Sequence, residues 1–181
     1  MPSREIKYKV VKRKIKYPRL ELKTGGLVVV IPRDGDFDVP EFIFKHKDWI
    51  NNKQSLIKKF SRVKISLRDQ ALTKEGLRDL IFNLIDQYGK VIKIKPKRII
   101  IKNMKSKWGS CSSNKNLCFN LSLSRLPDRM IQYVIYHEMC HLINRKHDDS
   151  FKLLLKKRYK NPSQFESKLF SYWFALNKNS N

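Results

Sequence analysis

A chain of 181 residues, 41% of them apolar, has enough hydrophobic content to fold around a core, which excludes wholesale disorder. Its longest aliphatic run, Leu27 to Ile31, is five residues, far short of a membrane span, and the Lys-rich alternation after Met1-Pro2-Ser3-Arg4-Glu5 has no apolar stretch of a secretory signal. A formal net charge of +24, from 40 Lys and Arg against 16 Asp and Glu, makes a surface that attracts polyanions without any specific site.

That charge is spread along the chain: residues 1–68 carry 18 basic and 7 acidic side chains, residues 69–181 carry 22 and 9. Three cysteines, Cys111, Cys118 and Cys140, in a chain that shows no export signal are expected to be free thiols in a reducing cytoplasm. The expected location is therefore cytoplasmic, with no membrane partner and with non-specific nucleic-acid contact through the basic surface.

In chain order, residues 5–31 read as short strands. Ile6, Tyr8 and Val10 alternate with Lys7 and Lys9, and Leu20 and Leu22 alternate with Glu21 and Lys23. Gly25-Gly26 predicts a hairpin turn into a strand from Leu27 to Ile31, which Pro32 ends. Asp38 is placed to cap a helix with Pro40 in its first turn, its apolar face Phe42, Ile43, Trp49, Ile50, Leu56 and Ile57, running to about Phe60. A second helix is expected from Ser66 or Asp69 to Tyr88, closed by Gly89, with Leu72, Leu77, Leu80, Ile81, Leu84 and Ile85 as its stripe.

Arg98 to Lys102 reads as a buried strand, and Met104 to Asn116 as a stiff polar turn region holding Lys107-Trp108-Gly109-Ser110-Cys111. Leu117, Phe119, Leu121 and Leu123 alternate with Cys118, Asn120 and Ser122, which predicts a strand with one buried face. Pro127-Asp128 opens a helix whose Ile131, Val134, Ile135 and Met139 face a core. Asp148-Asp149-Ser150 starts another helix toward Tyr159, and Pro162 a final one through Trp173 and Phe174. The division expected is 1–66, a strand-rich region plus a helix, and 67–181, a second domain.

The chemistry concentrates in Tyr136-His137-Glu138-Met139-Cys140-His141-Leu142-Ile143-Asn144-Arg145-Lys146-His147. Its H-E-x-x-H places His137 and His141 four residues apart, about 40° from each other on a helix, so both imidazoles reach one metal ion. Zinc takes neutral imidazole nitrogens and leaves a fourth position open in catalytic sites, where Glu138 would serve as general base. With four His and six Glu in the chain, a chance H-E-x-x-H has a probability on the order of 0.3%. For the third ligand, His147 lies six residues past His141 with Asn144 midway, a residue that tolerates a left-handed turn. Glu166, on a later helix, is the rival. The spacing matches the metzincin signature with Asn in place of Gly, although no methionine follows Met139.

Taken together, Met104-Lys105-Ser106-Lys107-Trp108-Gly109-Ser110-Cys111-Ser112, then Pro127, His137 to Leu142, and His147-Asp148-Asp149-Ser150-Phe151 resemble the YgjP-like metallopeptidase family. This is a zincin group allied to the M48 peptidases and related to WLM and SprT-like domains. Ile31-Pro32-Arg33, Phe42-Ile43 and Lys47-Asp48-Trp49-Ile50 extend the likeness into the N-terminal half. The resemblance implies an α+β, zincin-like domain, its active-site helix packed on a small mixed or antiparallel sheet. It further implies one zinc ion held by His137, His141 and His147, with Glu138 catalytic. Cys140 stands where the family often has Ala, and Asp148-Asp149 is more acidic than usual.

The expected function is a zinc-dependent hydrolase acting on peptides or proteins, with the strand Leu117–Ser124, or its neighbour, aligning an extended substrate. Two other readings stand beside it. One keeps the metal and changes the substrate, to nucleoside triphosphates or to proteins bound to nucleic acid; no glycine-rich phosphate loop supports the former. The other is a basic nucleic-acid-binding module with structural zinc and no activity.

Overall fold

In the computed structural model, which describes residues 7–23, 26–61 and 65–177, the chain divides into two compact units. One comprises Met1–Val63 with Trp173–Asn181, the other Lys64–Tyr172. The first six residues, Ile6 of the expected strand among them, Gly25 of the expected turn, and the side chains of Leu22, Leu56, Ile57 and Phe60 lie outside the described residues.

The first unit is built on strands β1 (Tyr8–Arg13), β2 (Arg19–Lys23) and β3 (Gly26–Pro32), in the order β1-β3-β2. β3 is central, parallel to β1 and antiparallel to β2, with Arg19 opposite Val30. Its aliphatic run suits that place, since a central strand covered on its faces need not alternate with polar residues. Leu27, Val29 and Ile31 pack with Ile43 and Ile50, edged by Leu20, Phe37, Val39 and Phe42.

The single helix expected from Asp38 to Phe60 is in fact two, α1 (Val39–Lys45) and α2 (Lys47–Ser61). Asp38 caps α1 as expected, accepting the Glu41 amide at 2.8 Å. The break falls at His46, whose ring Nδ1 lies 2.8 Å from the Phe42 carbonyl and whose amide bonds back to Ile43 at 3.1 Å. A side chain that takes the i−4 carbonyl ends the ladder there.

In the second unit, α3 (Lys74–Ile92) starts later than expected. Thr73 caps it, its hydroxyl accepting the Gly76 amide at 3.0 Å. The preceding residues are not helical: they bend at 69–70, and the Arg68 and Leu72 amides donate to the Arg125 and Ser124 carbonyls. Gly89 does not close α3. It sits inside the helix, where a Cβ would lie 3.2 Å from the Ile94 carbonyl oxygen, and the helix ends at Lys93 with φ 53°. Glycine serves close approach there, and a lysine takes the left-handed turn.

Strands β4 (Arg98–Lys102), β5 (Gly109–Cys111) and β6 (Asn116–Asn120) form a sheet in the order β4-β6-β5. β4 runs parallel to β6 and β5 antiparallel to it. Two expectations are corrected. β4 is a half-exposed edge strand rather than a buried one, with Arg98, Ile100 and Lys102 facing out. The strand expected over Leu117–Ser124 stops at Asn120 and continues as a 3₁₀ turn, Leu121–Arg125. Asn120 causes the change: its side-chain oxygen accepts the Ser122 amide at 3.1 Å, while its amide nitrogen donates to the Met104 and Lys107 carbonyls at 2.8 Å.

Helix α4 (Asp128–Cys140) is the spine of this unit. Met130, Ile131, Val134, Ile135 and Met139 are buried with Leu77, Ile81, Leu84 and Ile85 of α3 and with Leu117 and Phe119 of β6. Each such side chain removed from water stabilises by about 1.5–3 kcal/mol before chain entropy is counted. Helices α5 (Asp149–Lys156) and α6 (Pro162–Asn177) follow. Trp108, between β4 and β5, is half-buried and its indole N–H donates to the Leu169 carbonyl at 3.2 Å. The three cysteines are free thiols. No helix among the described residues is long and apolar enough to cross a membrane.

Candidate metal centre

Histidines four apart on α4 present their rings to the same side, and the structure adds a third from beyond the helix. The ring centroids of His137 and His141 are 5.0 Å apart, those of His137 and His147 5.1 Å, and those of His141 and His147 4.6 Å. One nitrogen from each of the three lies within 4.8 Å of the others. His137 Nε2 and His147 Nε2 are 3.1 Å apart.

The turn that returns His147 is not made as expected. Among the described residues the non-glycine positions with positive φ are Lys93 and Lys115, so Asn144 does not use a left-handed conformation. It folds the chain with its side chain. The Asn144 carboxamide oxygen accepts the Lys146 amide at 3.0 Å, and its nitrogen donates to Asp148 Oδ1 at 2.7 Å and to the Ser150 hydroxyl. Asp148 in turn caps α5, accepting the Phe151 amide at 3.1 Å. These bonds hold its carboxyl below the usual range, the Phe151 amide foremost. The Asn144 carbonyl faces His141 Nδ1 at 3.0 Å, which puts the proton on Nδ1 and leaves Nε2 with its lone pair.

Phe151 is the floor under all three rings, stacked on His141 at 4.4 Å and edge-on to His137 and His147 at 5.0 and 4.7 Å. Burial pushes His137 down to about 3, with His141 and His147 adding to the effect, and burial also lowers His141. Both rings are therefore neutral at physiological pH. Three imidazoles gathered around one point, with no carboxylate among them, are a donor set for a borderline divalent cation. Two nitrogens bound to one tetrahedral zinc lie about 3.3 Å apart, close to the His137–His147 separation. His137 turns Nε2 toward His147, while its Nδ1 is buried without a hydrogen-bond partner. The residues fit the ion.

Glu138 points from α4 toward β5 instead of toward solvent, and is 7% exposed. Burial raises its carboxyl to about 7, and Lys107 pulls it partly back. The contact is close: a Cβ on Gly109 would sit 2.7 Å from Glu138 Cγ and 3.0 Å from Oε1. The Gly109 backbone has no positive φ, so its lack of a side chain serves space for Glu138. Sequence reasoning placed Gly109 in a turn and missed this; its position beside Trp108 and Cys111 was the only signal.

The rival ligand Glu166 lies outside the three-histidine group and accepts the Tyr133 hydroxyl at 3.2 Å. It does share with His137 and His147 an open cleft of about 580 Å³, whose other walls include Phe151, Leu155 and Pro162.

The family profile described as YgjP-like, metallopeptidase domain matches residues 62–172, about three-fifths of the chain. Among solved structures, the chain is similar to the metallopeptidase zymogen of Pyrococcus abyssi abylysin, 15% identical with a TM-score of 0.46, over 50% of this chain and 92% of that one. It is also similar to the metallopeptidase zymogen of Methanocaldococcus jannaschii jannalysin, 23% identical with a TM-score of 0.43, over 52% and 93%. No curated protein matches the chain.

Proposed function

The chain belongs to the YgjP-like metallopeptidase family, and from that premise we propose that it is a zinc-dependent peptidase with His137, His141 and His147 as metal ligands and Glu138 as general base. The observation that carries the reading is the meeting of three imidazoles, one of them from beyond α4, beside a buried glutamate on that helix. Zinc at such a site lowers the pKa of water toward about 7 and polarises a carbonyl.

The remaining steps belong to side chains of this unit. Glu138 takes the proton from the attacking water and delivers it to the departing amine. Its burial against Gly109 holds the carboxyl in one place for both halves of that task. Asn144 and Asp148 hold the His147 loop against α5, and Phe151 fixes the planes of the rings. An extended peptide would pair with β5. Of the two strands expected for that role, β6 has β4 and β5 on its two sides, whereas its neighbour β5 is a sheet edge and touches Glu138.

The test is elemental analysis with a peptide assay on one set of preparations. Wild-type protein should carry one zinc per chain, His137→Ala and His147→Ala much less, and Glu138→Gln a full complement with no peptide cleavage. A Glu138→Gln protein of undiminished activity would remove the general base from the mechanism. Nucleotide release, measured on the same zinc-loaded protein, separates the peptidase from a phosphoanhydride hydrolase.

A further inference from the structure

Between Asp86 and Asp128 the sequence holds ten Lys and Arg and no Asp or Glu. This acid-free stretch folds as the end of α3, the whole β4-β6-β5 sheet and its loops. At its start Lys90 and Lys95 pair with Asp86, and elsewhere in the second unit Arg68 pairs with Asp128 and Lys152 with Asp149. Lys97, Arg98, Lys102, Lys105, Lys107 and Lys115 are exposed and make no ion pair among the described residues.

From this segregation we propose that the β4 side of the sheet is a nucleic-acid-binding face. Arg98 and Lys102 project from the same side of the edge strand, about 13 Å apart at the usual rise per residue, with exposed Ile100 between them. A phosphate backbone, with charges every few ångströms along each strand, is the polyanion that such a row of fixed cations neutralises by releasing counterions. Ser112, Ser113 and Asn114, in the turn before Lys115, add neutral donors of the kind that bond phosphate oxygens. A lysine on an exposed edge also discourages strand pairing. That role is satisfied by β4 itself and does not account for Lys105, Lys107 and Lys115 in the loops. An acidic membrane is the lesser match, because Ile100 is the one large apolar side chain exposed at 40% or more on these strands among the described residues.

This inference does not depend on peptidase activity, since binding is read directly and the variants leave the three histidines and Glu138 intact. The experiment measures anisotropy of a fluorescent DNA duplex and of a single-stranded RNA against salt, with the full chain. The triple variant Arg98→Glu, Lys102→Glu, Lys105→Glu should lower the slope of log affinity against log salt by about 3. The triple variant Lys157→Glu, Lys160→Glu, Lys168→Glu, with the same change of net charge, should leave the slope within about 1 of wild type. Circular dichroism checks folding; if the reversals disturb it, the Gln versions at the same three positions should show the same order. Equal losses in both triples would show a diffuse charge and overturn the proposal. So would an unchanged slope in the sheet variant, or binding to phosphatidylserine vesicles without binding to either nucleic acid.

Discussion

Replacing Gly109 with alanine adds one methyl group where the site has no room for it. The new Cβ would lie 2.7 Å from Glu138 Cγ, 3.0 Å from Oε1 and 3.1 Å from Cδ, against about 3.5–4.0 Å for ordinary carbon contacts. Glu138 must therefore retreat by about 1 Å, in a region where overpacking costs about 1–3 kcal/mol. For a chain of this size that predicts a fall in Tm of about 2–12 °C. The decisive assay is a double-mutant cycle by thermal unfolding, with Gly109→Ala measured in the wild-type and Glu138→Ala backgrounds. Since the three nearest atoms all belong to Glu138, the penalty should largely vanish once that side chain is cut back. Peptide turnover in Gly109→Ala should fall by about a hundredfold, the cost of misplacing a reacting group by an ångström, while bound zinc stays the same. Equal destabilisation in the two backgrounds, or full activity in the single variant, would refute the cradle.

Further outcomes follow from the same geometry. Asn144→Ala removes the ties between the His147 loop and Asp148, and should weaken zinc about 10–100-fold in a chelator competition, with Tm of the metal-free protein less affected. Zinc at a hundred times its Kd should stabilise the wild-type protein by about 2.7 kcal/mol, a rise in Tm of about 5–11 °C that chelation reverses and His147→Ala abolishes. Cys140 has no exposed surface and burial pushes its thiol up to about 12, so Ellman's reagent should report Cys111 and Cys118 in the folded protein and Cys140 only after unfolding.

Much of the architecture was legible because it is governed by local periodicity. The stripe of α3, the caps at Asp38 and Asp148 and the apolar face of α4 are set by residues three and four apart, and appear where that spacing puts them. Boundaries set by competing side chains were not. His46 splits a helix by reaching back to a carbonyl, and Asn120 ends a strand by bonding to Met104 and Lys107, 16 and 13 residues away. An alternating pattern such as Leu117-Cys118-Phe119 specifies a buried face, yet says nothing of which strands lie on either side. The pattern thus left open whether that strand or its neighbour pairs with a substrate.

The candidate site divides along the same line. By itself the sequence determined that His137 and His141 share a side of one helix with Glu138 beside them, because a helix relates such positions without help from any other element. Spacing already favoured His147 over Glu166 as the third ring, and tertiary structure alone decided that an Asn144–Asp148 linkage, rather than a left-handed turn, brings it there. It alone decided that Gly109 makes the space for Glu138 and that Phe151 lies beneath the three imidazoles. Those relations join residues distant in the chain or held by cooperating side chains, so no spacing along the chain encodes them; they exist only once α4, α5 and the sheet have packed.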